Sequence, residues 1–343
     1  MTPDRLQTIT RQYGGLRIAV VGDFCLDRYL EIDPTRAEIS IETGKPVYNV
    51  TRVRAQPGAA GTVLNNLVAL GVGELIPVGW CGDDGEGYEL RRGMAALAGV
   101  RLDHFHTVAD RRTFTYCKPL VIDPPHPPLE LNRLDSKNWT PTPTAIQAQV
   151  IRSLEQLADH IDAIILLDQV DLAETGVITT SLLNHVGKLA QQRPALRILG
   201  DSRRGLAGWP AVTFKMNAAE LANLVGEAGT LTLEQVRALV SQLAVRHGRD
   251  VFVTLAERGM LGANPAGDVV HQTAFPVRGE IDIVGAGDAV TANLTAALVA
   301  EADMSEALFL AALASSVVIH KLGTTGTASP DELLGLLRRL AVT

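Results

Sequence analysis

The chain has 343 residues, of which 46% are hydrophobic and 20% charged, enough for one large α/β domain or two modest ones. Its formal net charge of −7 and the lack of any long Lys/Arg run argue against non-specific nucleic-acid binding. Cys25, Cys81 and Cys117 form no disulfide framework, no apolar run could span a bilayer, and the first residues lack a secretory apolar stretch, so a soluble cytoplasmic protein is expected.

Leu16–Val21 is a short β-branched run ending in Gly22-Asp23, which predicts a buried strand presenting a carboxylate at its end. The stretch from Glu31 to Gly58 alternates polar and apolar residues and predicts exposed antiparallel strands. A helix is predicted over Ala59–Leu70, stopped by Gly71 and Gly73, followed by the core strand "LIPVGWCG" and the helix "GYELRRGMAALAG". Strand-like patterns return on either side of the turn at Pro124-Pro125-His126-Pro127-Pro128.

The second half alternates more regularly. Strands are predicted at Ala163–Asp168, Arg197–Asp201, Val212–Asn217 and Asp250–Ala256, with helices over Glu174–Gln191 and Leu231–His247. Two Ala- and Leu-rich helices, Ala289–Ala302 and Ser305–Lys321, close the chain. This alternation predicts a doubly wound α/β fold, a mostly parallel sheet with helices on both faces.

Most chemical signatures are missing. There is no G-x-x-x-x-G-K-[ST], no G-x-G-x-x-G after the first strand and no G-x-S-x-G; the pair His104 and His106 lacks a surrounding ligand cluster. What remains is Asp282-Ile-Val-Gly-Ala-Gly-Asp288 at the start of a helix. It reads either as a plain glycine-rich turn with an Asp near the helix start, or as an anion hole. In the second reading the amides of Gly285, Ala286 and Gly287 face developing negative charge and Asp288 takes a proton from an attacking hydroxyl.

Four segments together resemble the ribokinase-like (PfkB) carbohydrate kinases. They are Gly22-Asp23, "PGAAGTVLNN", Asn217-Ala-Ala-Glu220 and the 282–288 segment, in that order over nearly the whole chain. "VVGDFCLDRYL", Asn132–Asp135 and "KLGTTGTASPDEL" are further similar to the bacterial D-glycero-beta-D-manno-heptose 7-phosphate kinase branch. The resemblance implies a small β-sheet lid within one kinase domain, formed by about residues 31–56 and 103–135, and a homodimer made through it. It also implies ATP-dependent phosphorylation of a sugar or sugar-phosphate hydroxyl with Mg2+, and K+ in some relatives. Two alternatives stay open: a kinase of a nucleoside or vitamin-like alcohol, and a non-catalytic sugar- or nucleotide-binding relative.

By the same resemblance, Asp288 is the general base beside Gly285, Ala286 and Gly287. Asp23, Asp27, Gly58, Ala59, Thr62, Lys118 and Arg133 fall in the acceptor half, with Asp23 expected to hold sugar hydroxyls. Asp27 with Arg28 reads equally as a salt bridge at the lid hinge. Lys215, Asn217, Thr254, Gly259, Ser316 and His320 fall in the nucleotide half, and Asp282 in a region that holds a monovalent cation in some relatives. Asn217 and Glu220 would organise magnesium through water; without the resemblance the pair reads as an ordinary helix cap.

The acceptor half departs from the heptose-kinase pattern. G-G-A-A-N has become Gly58-Ala59-Ala60-Gly61-Thr62, R-I-S-P-E-A-P has become Glu38 to Gly44, and K-P-N has become Lys215-Met216-Asn217. Ala59 removes a glycine, Thr62 removes an amide and Glu38 reverses a charge, so poor use of heptose 7-phosphate is expected.

Overall fold

The strand Arg17–Gly22 lies in the middle of the main sheet because its side chains are apolar on both faces. Ile18 and Val20 join one core and Ala19 and Val21 the other. The computed structural model describes residues 1–323 and 325–341; Thr324, in the segment that resembles the heptose-kinase ending, lies outside them.

Among the described residues nine strands form this sheet, in the order Val269–Gln272, Met260–Ala263, Val251–Thr254, Thr213–Asn217, Arg197–Ser202, Ala163–Asp168, Arg17–Gly22, Glu74–Gly82 and Phe105–Val108. Pairing is parallel from Val251–Thr254 to Phe105–Val108 and antiparallel across the first two junctions. Helices Pro3–Thr10, Ala60–Ala69, Ala286–Val299, Met304–Val318 and Pro330–Leu340 cover one face; Thr144–Leu157, Thr180–Gln192, Ala218–Val225 and Leu233–His247 cover the other. The doubly wound α/β expectation is met. No helix among the described residues is long and apolar enough to cross a membrane.

A second, smaller sheet rises from the carboxyl edge of the first. Phe24–Ile32 pairs antiparallel with Val50–Ala59 and parallel with Phe114–Val121, which carries Leu134–Ser136 and Leu129–Glu130. Glu38–Ile39 and Pro46–Val47 form a separate exposed ribbon. This sheet starts at Phe24 rather than about residue 31, and Phe105–Val108 belongs to the main sheet instead. The reason is its pairing: Phe105–Val108 runs parallel beside Gly79 to Gly82 as the edge of the main sheet, while the buried Phe105 ring touches Phe24 of the smaller one, with centroids 5.2 Å apart.

Two helices also differ from the periodic pattern. Thr180–Gln192 begins six residues after Glu174, where the Thr179 side chain accepts from the Leu182 amide. Ala286–Val299 begins before Asp288, because Gly285 at φ 81° turns the chain straight into the helix.

Candidate active site

The predicted residues gather where ligands bind in open α/β sheets, at the carboxyl ends of the strands. Asp23 follows Arg17–Gly22, Asn217 ends its strand, Thr254 ends the next, and Asp288 sits in the first turn of Ala286–Val299. That helix is buried nearly all round, so its N-terminus is fixed by packing on Ala60–Ala69 and Met304–Val318.

Asp288 is only partly exposed. Burial pushes its carboxyl up to about 7, Lys215 and Arg203 oppose the rise, and the carboxylates of Asp201 and Asp27 add to it. A group that ionises near neutrality is suited to accept a proton at physiological pH. The Ala286 amide donates back to the Ile283 carbonyl at 3.2 Å, so it does not belong to the expected anion hole. The amides of Gly287 and Asp288 lie in the first helical turn, where no intrahelical acceptor is available. Gly285 is crowded: a Cβ there would stand 2.6 Å from Thr325 Cγ2 and 3.8 Å from Thr62 Cγ2.

Beneath this turn lies a buried ion pair. Lys215 Nζ is 2.8 Å from Asp201 Oδ2, which also accepts from Thr291 Oγ1 at 2.9 Å. Burial lowers the Lys215 ammonium, but Asp201, and beyond it Asp288 and Glu220, outweigh burial and raise it. A Cβ on Gly287 would be 3.3 Å from Lys215 Nζ, so the cation lies directly under the glycine turn.

Asn217 and Glu220 form a reciprocal cap: Glu220 Oε2 accepts from the Asn217 amide at 2.7 Å and Asn217 Oδ1 from the Glu220 amide at 2.9 Å. The helix-cap alternative is therefore realised. Burial, with Asp201 adding, raises the Glu220 carboxyl, while its bond to the Asn217 amide and the Lys215 charge lower it. Thr254 Oγ1 donates to the Met216 carbonyl at 3.5 Å. Gly259, at φ 87°, abuts the Gln272 carbonyl and leaves no room for a side chain. His320 Nδ1 donates to the Ser316 carbonyl at 2.7 Å and its Nε2 accepts from the Arg278 amide at 2.8 Å. Asp282 folds onto its own loop, Oδ1 accepting from the Val284 amide at 3.0 Å.

Of the residues expected in the acceptor half, Asp27, Gly58 and Lys118 lie together, while Arg133 pairs with Asp135 and reaches Asp27 by its charge. Lys118 Nζ is 3.5 Å from Asp27 Oδ1 and 3.4 Å from the Tyr29 hydroxyl. Burial pushes Asp27 up, against the pull of Lys118 and Arg133. Gly58 packs directly on the Asp27 carboxylate and on Cys25 Sγ, so the site requires glycine there. Arg28 pairs with Glu86 and Glu89, at 3.7 and 3.3 Å, which removes the Asp27–Arg28 hinge reading.

Asp23 is corrected too. It is buried, and its carboxylate accepts from the backbone amides of Gln169, Val170 and Val177 rather than facing the cleft. Glu38 lies on the exposed ribbon, and among the described residues no hydrogen bond or ion pair joins it to Asp27, Lys118 or Asp288. A residue without a local signature joins the site instead. Arg203 follows the strand Arg197–Ser202, sits 3.5 Å from the Tyr116 hydroxyl and 3.7 Å from Asp171, and its charge reaches Asp288 and Cys25.

Ala59 has φ 54° and ψ −117°, a region open to glycine and costly for alanine. Ala59→Gly is expected to stabilise the protein by about 1 kcal/mol, after the larger unfolded-state entropy of glycine is subtracted. Equal or lower denaturation midpoints for the variant would show that the strain is absent.

This arrangement defines an α/β enzyme whose cleft pairs an acidic group with a glycine turn at a helix N-terminus. The same fold occurs in the ribokinase of Arabidopsis thaliana complexed with ribose and ATP, with a TM-score of 0.67 and 21% identity over 94% of this chain and 99% of that one. Phosphofructokinase-2 from Escherichia coli, in complex with substrates and products, matches with a TM-score of 0.70 and 18% identity over 95% and 99%. The pfkB family carbohydrate kinase model matches residues 16–332, and the chain belongs to that family. Among curated relatives, the bifunctional protein HldE of Hyphomonas neptunium is 32% identical over 97% of this chain, and that of Paramagnetospirillum magneticum 33% over 95%. This chain spans 66% and 64% of the length of those two relatives.

Proposed function

We propose that the chain transfers the γ-phosphoryl group of ATP to a hydroxyl of a sugar or sugar phosphate, with Asp288 as general base. The observation that carries this reading is Asp288 itself, raised to about 7 beside a glycine turn, with Lys215 below and Asp27 across the cleft. Asp27, with Lys118 beside it, is the carboxylate placed to hold the acceptor. Asp288 takes the proton of the attacking hydroxyl as its oxygen bonds to the γ-phosphorus; the bond to the β-phosphate oxygen breaks and ADP leaves. The amides of Gly287 and Asp288, with Lys215, face the charge that shifts between those oxygens. An assay of ADP release over sugars, hexose phosphates, heptose phosphates and nucleosides tests this directly; no acceptor-dependent release with any of them would refute it.

Magnesium fits this donor set only as an ion held largely by water and phosphates, because Glu220 and Asn217 already spend atoms on the helix cap. Bound there, it would neutralise charge on the transferred group. Glu220→Gln is expected to raise the magnesium needed for half-maximal rate; an unchanged titration leaves the pair as a cap alone.

Ala59 and Thr62 should select against heptose 7-phosphate, since Thr62 is buried against the glycine turn where an amide would offer one more donor. Turnover of that acceptor is expected to be poor and to improve in Ala59→Gly/Thr62→Asn; efficient wild-type turnover would overturn this assignment.

The small sheet would act as a lid. Ile39, Ile41, Tyr48, Val53, Leu129 and Leu134 are exposed on it and its ribbon, an apolar surface suited to a second copy of the chain. Sedimentation at micromolar concentration should show a dimer, and a fully active monomer would remove this proposal.

A further inference from the structure

We propose that Asp23 is a positioning residue, whose carboxylate fixes the 169–177 loop as one wall of the acceptor cleft and so sets acceptor affinity without touching the acceptor. The identity of the ligand facing that wall rests on the kinase reading above.

The geometry is that of a staple. Oδ2 of Asp23 accepts from the Gln169 amide at 2.8 Å and the Val170 amide at 3.3 Å, and Oδ1 accepts from the Val177 amide at 2.6 Å. One carboxylate thus gathers both ends of a loop that leaves the strand Ala163–Asp168 and returns to the helix Thr180–Gln192. Hydrogen bonds from backbone amides to a charged oxygen are among the stronger ones a protein makes. With only 2% of its surface exposed, the group offers no route to a polyol. Gly176 packs on the carboxylate so closely that any side chain there would collide with it. The main chain of Asp23 is anchored as well: its amide donates to the Leu167 carbonyl at 3.1 Å, and its carbonyl accepts from the Ala60 amide at 3.0 Å. The second bond ties the staple to the helix that carries Thr62.

The loop's other side packs toward Tyr116, which pairs in register with Asp27 across the smaller sheet. Val170, Asp171, Leu172 and Thr175 line a cavity of about 30 Å³ together with Tyr116 and Trp139. Asp171 pairs with Lys137 at 2.6 Å and with Arg203 at 3.7 Å, and Arg203 is the cation whose charge reaches Asp288. A shift of the loop therefore moves Asp171, and with it Arg203, whose charge bears on Asp288. Burial and the nearby Asp168 carboxylate push the Asp23 carboxyl up to about 7, while the three amides pull it down.

Asp23→Asn keeps the volume but offers one acceptor oxygen, and its NH2 group meets an opposing backbone N–H. Hydrogen exchange over 169–177 in the substrate-free variant, compared with wild type at about pH 8 where the Asp23 carboxyl is ionised, is expected to speed up about tenfold, the equivalent of one lost bond to a charged group. The acceptor KM should rise by a similar factor of about ten, with the ATP KM unchanged. Gly176→Ala crowds the same carboxylate from the loop side without altering its charge, and should reproduce both effects if Asp23→Asn does not fold. A raised acceptor KM with unchanged loop exchange would mean direct contact with the acceptor and overturn the proposal. Faster exchange with an unchanged acceptor KM, or no change in either, would overturn it as well. The exchange readout needs no turnover, so a wild-type protein that transfers no phosphoryl group refutes the kinase reading while the staple is still judged by exchange.

Discussion

Asp288→Asn is expected to fold and bind ATP while losing turnover by about 10²–10⁴-fold, the usual share of a general base. The amide keeps the shape of the carboxylate in the first helical turn but cannot take the hydroxyl proton. The wild-type rate should fall on the acid side of about pH 7, where burial holds this carboxyl, and the variant should lose that limb. Stability should move the other way. The folded state holds the Asp288 proton more tightly than the unfolded chain, whose carboxyl titrates near 3.8, so this group's contribution to stability falls as pH rises from there to about 7. Above pH 7 the variant should therefore melt no lower than wild type. Near-normal turnover in a folded Asp288→Asn protein would sink the assignment.

The second large effect belongs to the pair below the turn. Lys215→Met leaves Asp201 buried with, among the described residues, only the Thr291 hydroxyl as side-chain donor, and breaking a buried pair in this way costs about 3–5 kcal/mol. Turnover should fall as well, because the cation under Gly287 is gone. The double variant Lys215→Met/Asp201→Leu should recover most of the stability, since no unpaired charge is left, and none of the turnover. A single variant as stable as wild type in denaturant would show that the pair carries no such weight. Recovery of activity in the double variant would show that Lys215 has no part in transfer.

Local signals were enough for the central strands. Ala163–Asp168 is a continuous apolar run ending in a carboxylate, and it appears with those bounds because both of its faces are covered. The chain beyond it was not legible locally. Periodicity carries a helix back to Glu174, but Asp23, some 150 residues earlier, captures amides of that segment and holds it as a loop. Asp23 and Asp27 were equivalent as letters; only the fold shows that one faces backbone amides and the other Gly58 and Lys118. Arg203 had no periodic or motif signal, since its part comes from long-range packing that brings the smaller sheet's Tyr116, the loop residue Asp171 and the helix start at Asp288 around it. The helix Pro330–Leu340 was missed, since the expected elements ended on two helices before it, although Ser329-Pro330-Asp331-Glu332, a capping box with proline at the first helical position, is a local signal that could have found it.

The helix behind the base has a consequence of its own. Ala289, Ala292, Ala296 and Ala297 are fully buried along Ala286–Val299, and the neighbouring helices close on it across methyl groups. Close-packed interiors transmit a change of even one methylene. The height of the proton acceptor above the sheet is therefore recorded in side-chain volumes as far as about two and a half turns away, at positions with no polar side-chain atom and no view of the cleft. Drift in such a chain is limited by bulk as much as by charge, and a substitution that looks conservative in the interior can reach the chemistry as a displacement of the whole turn.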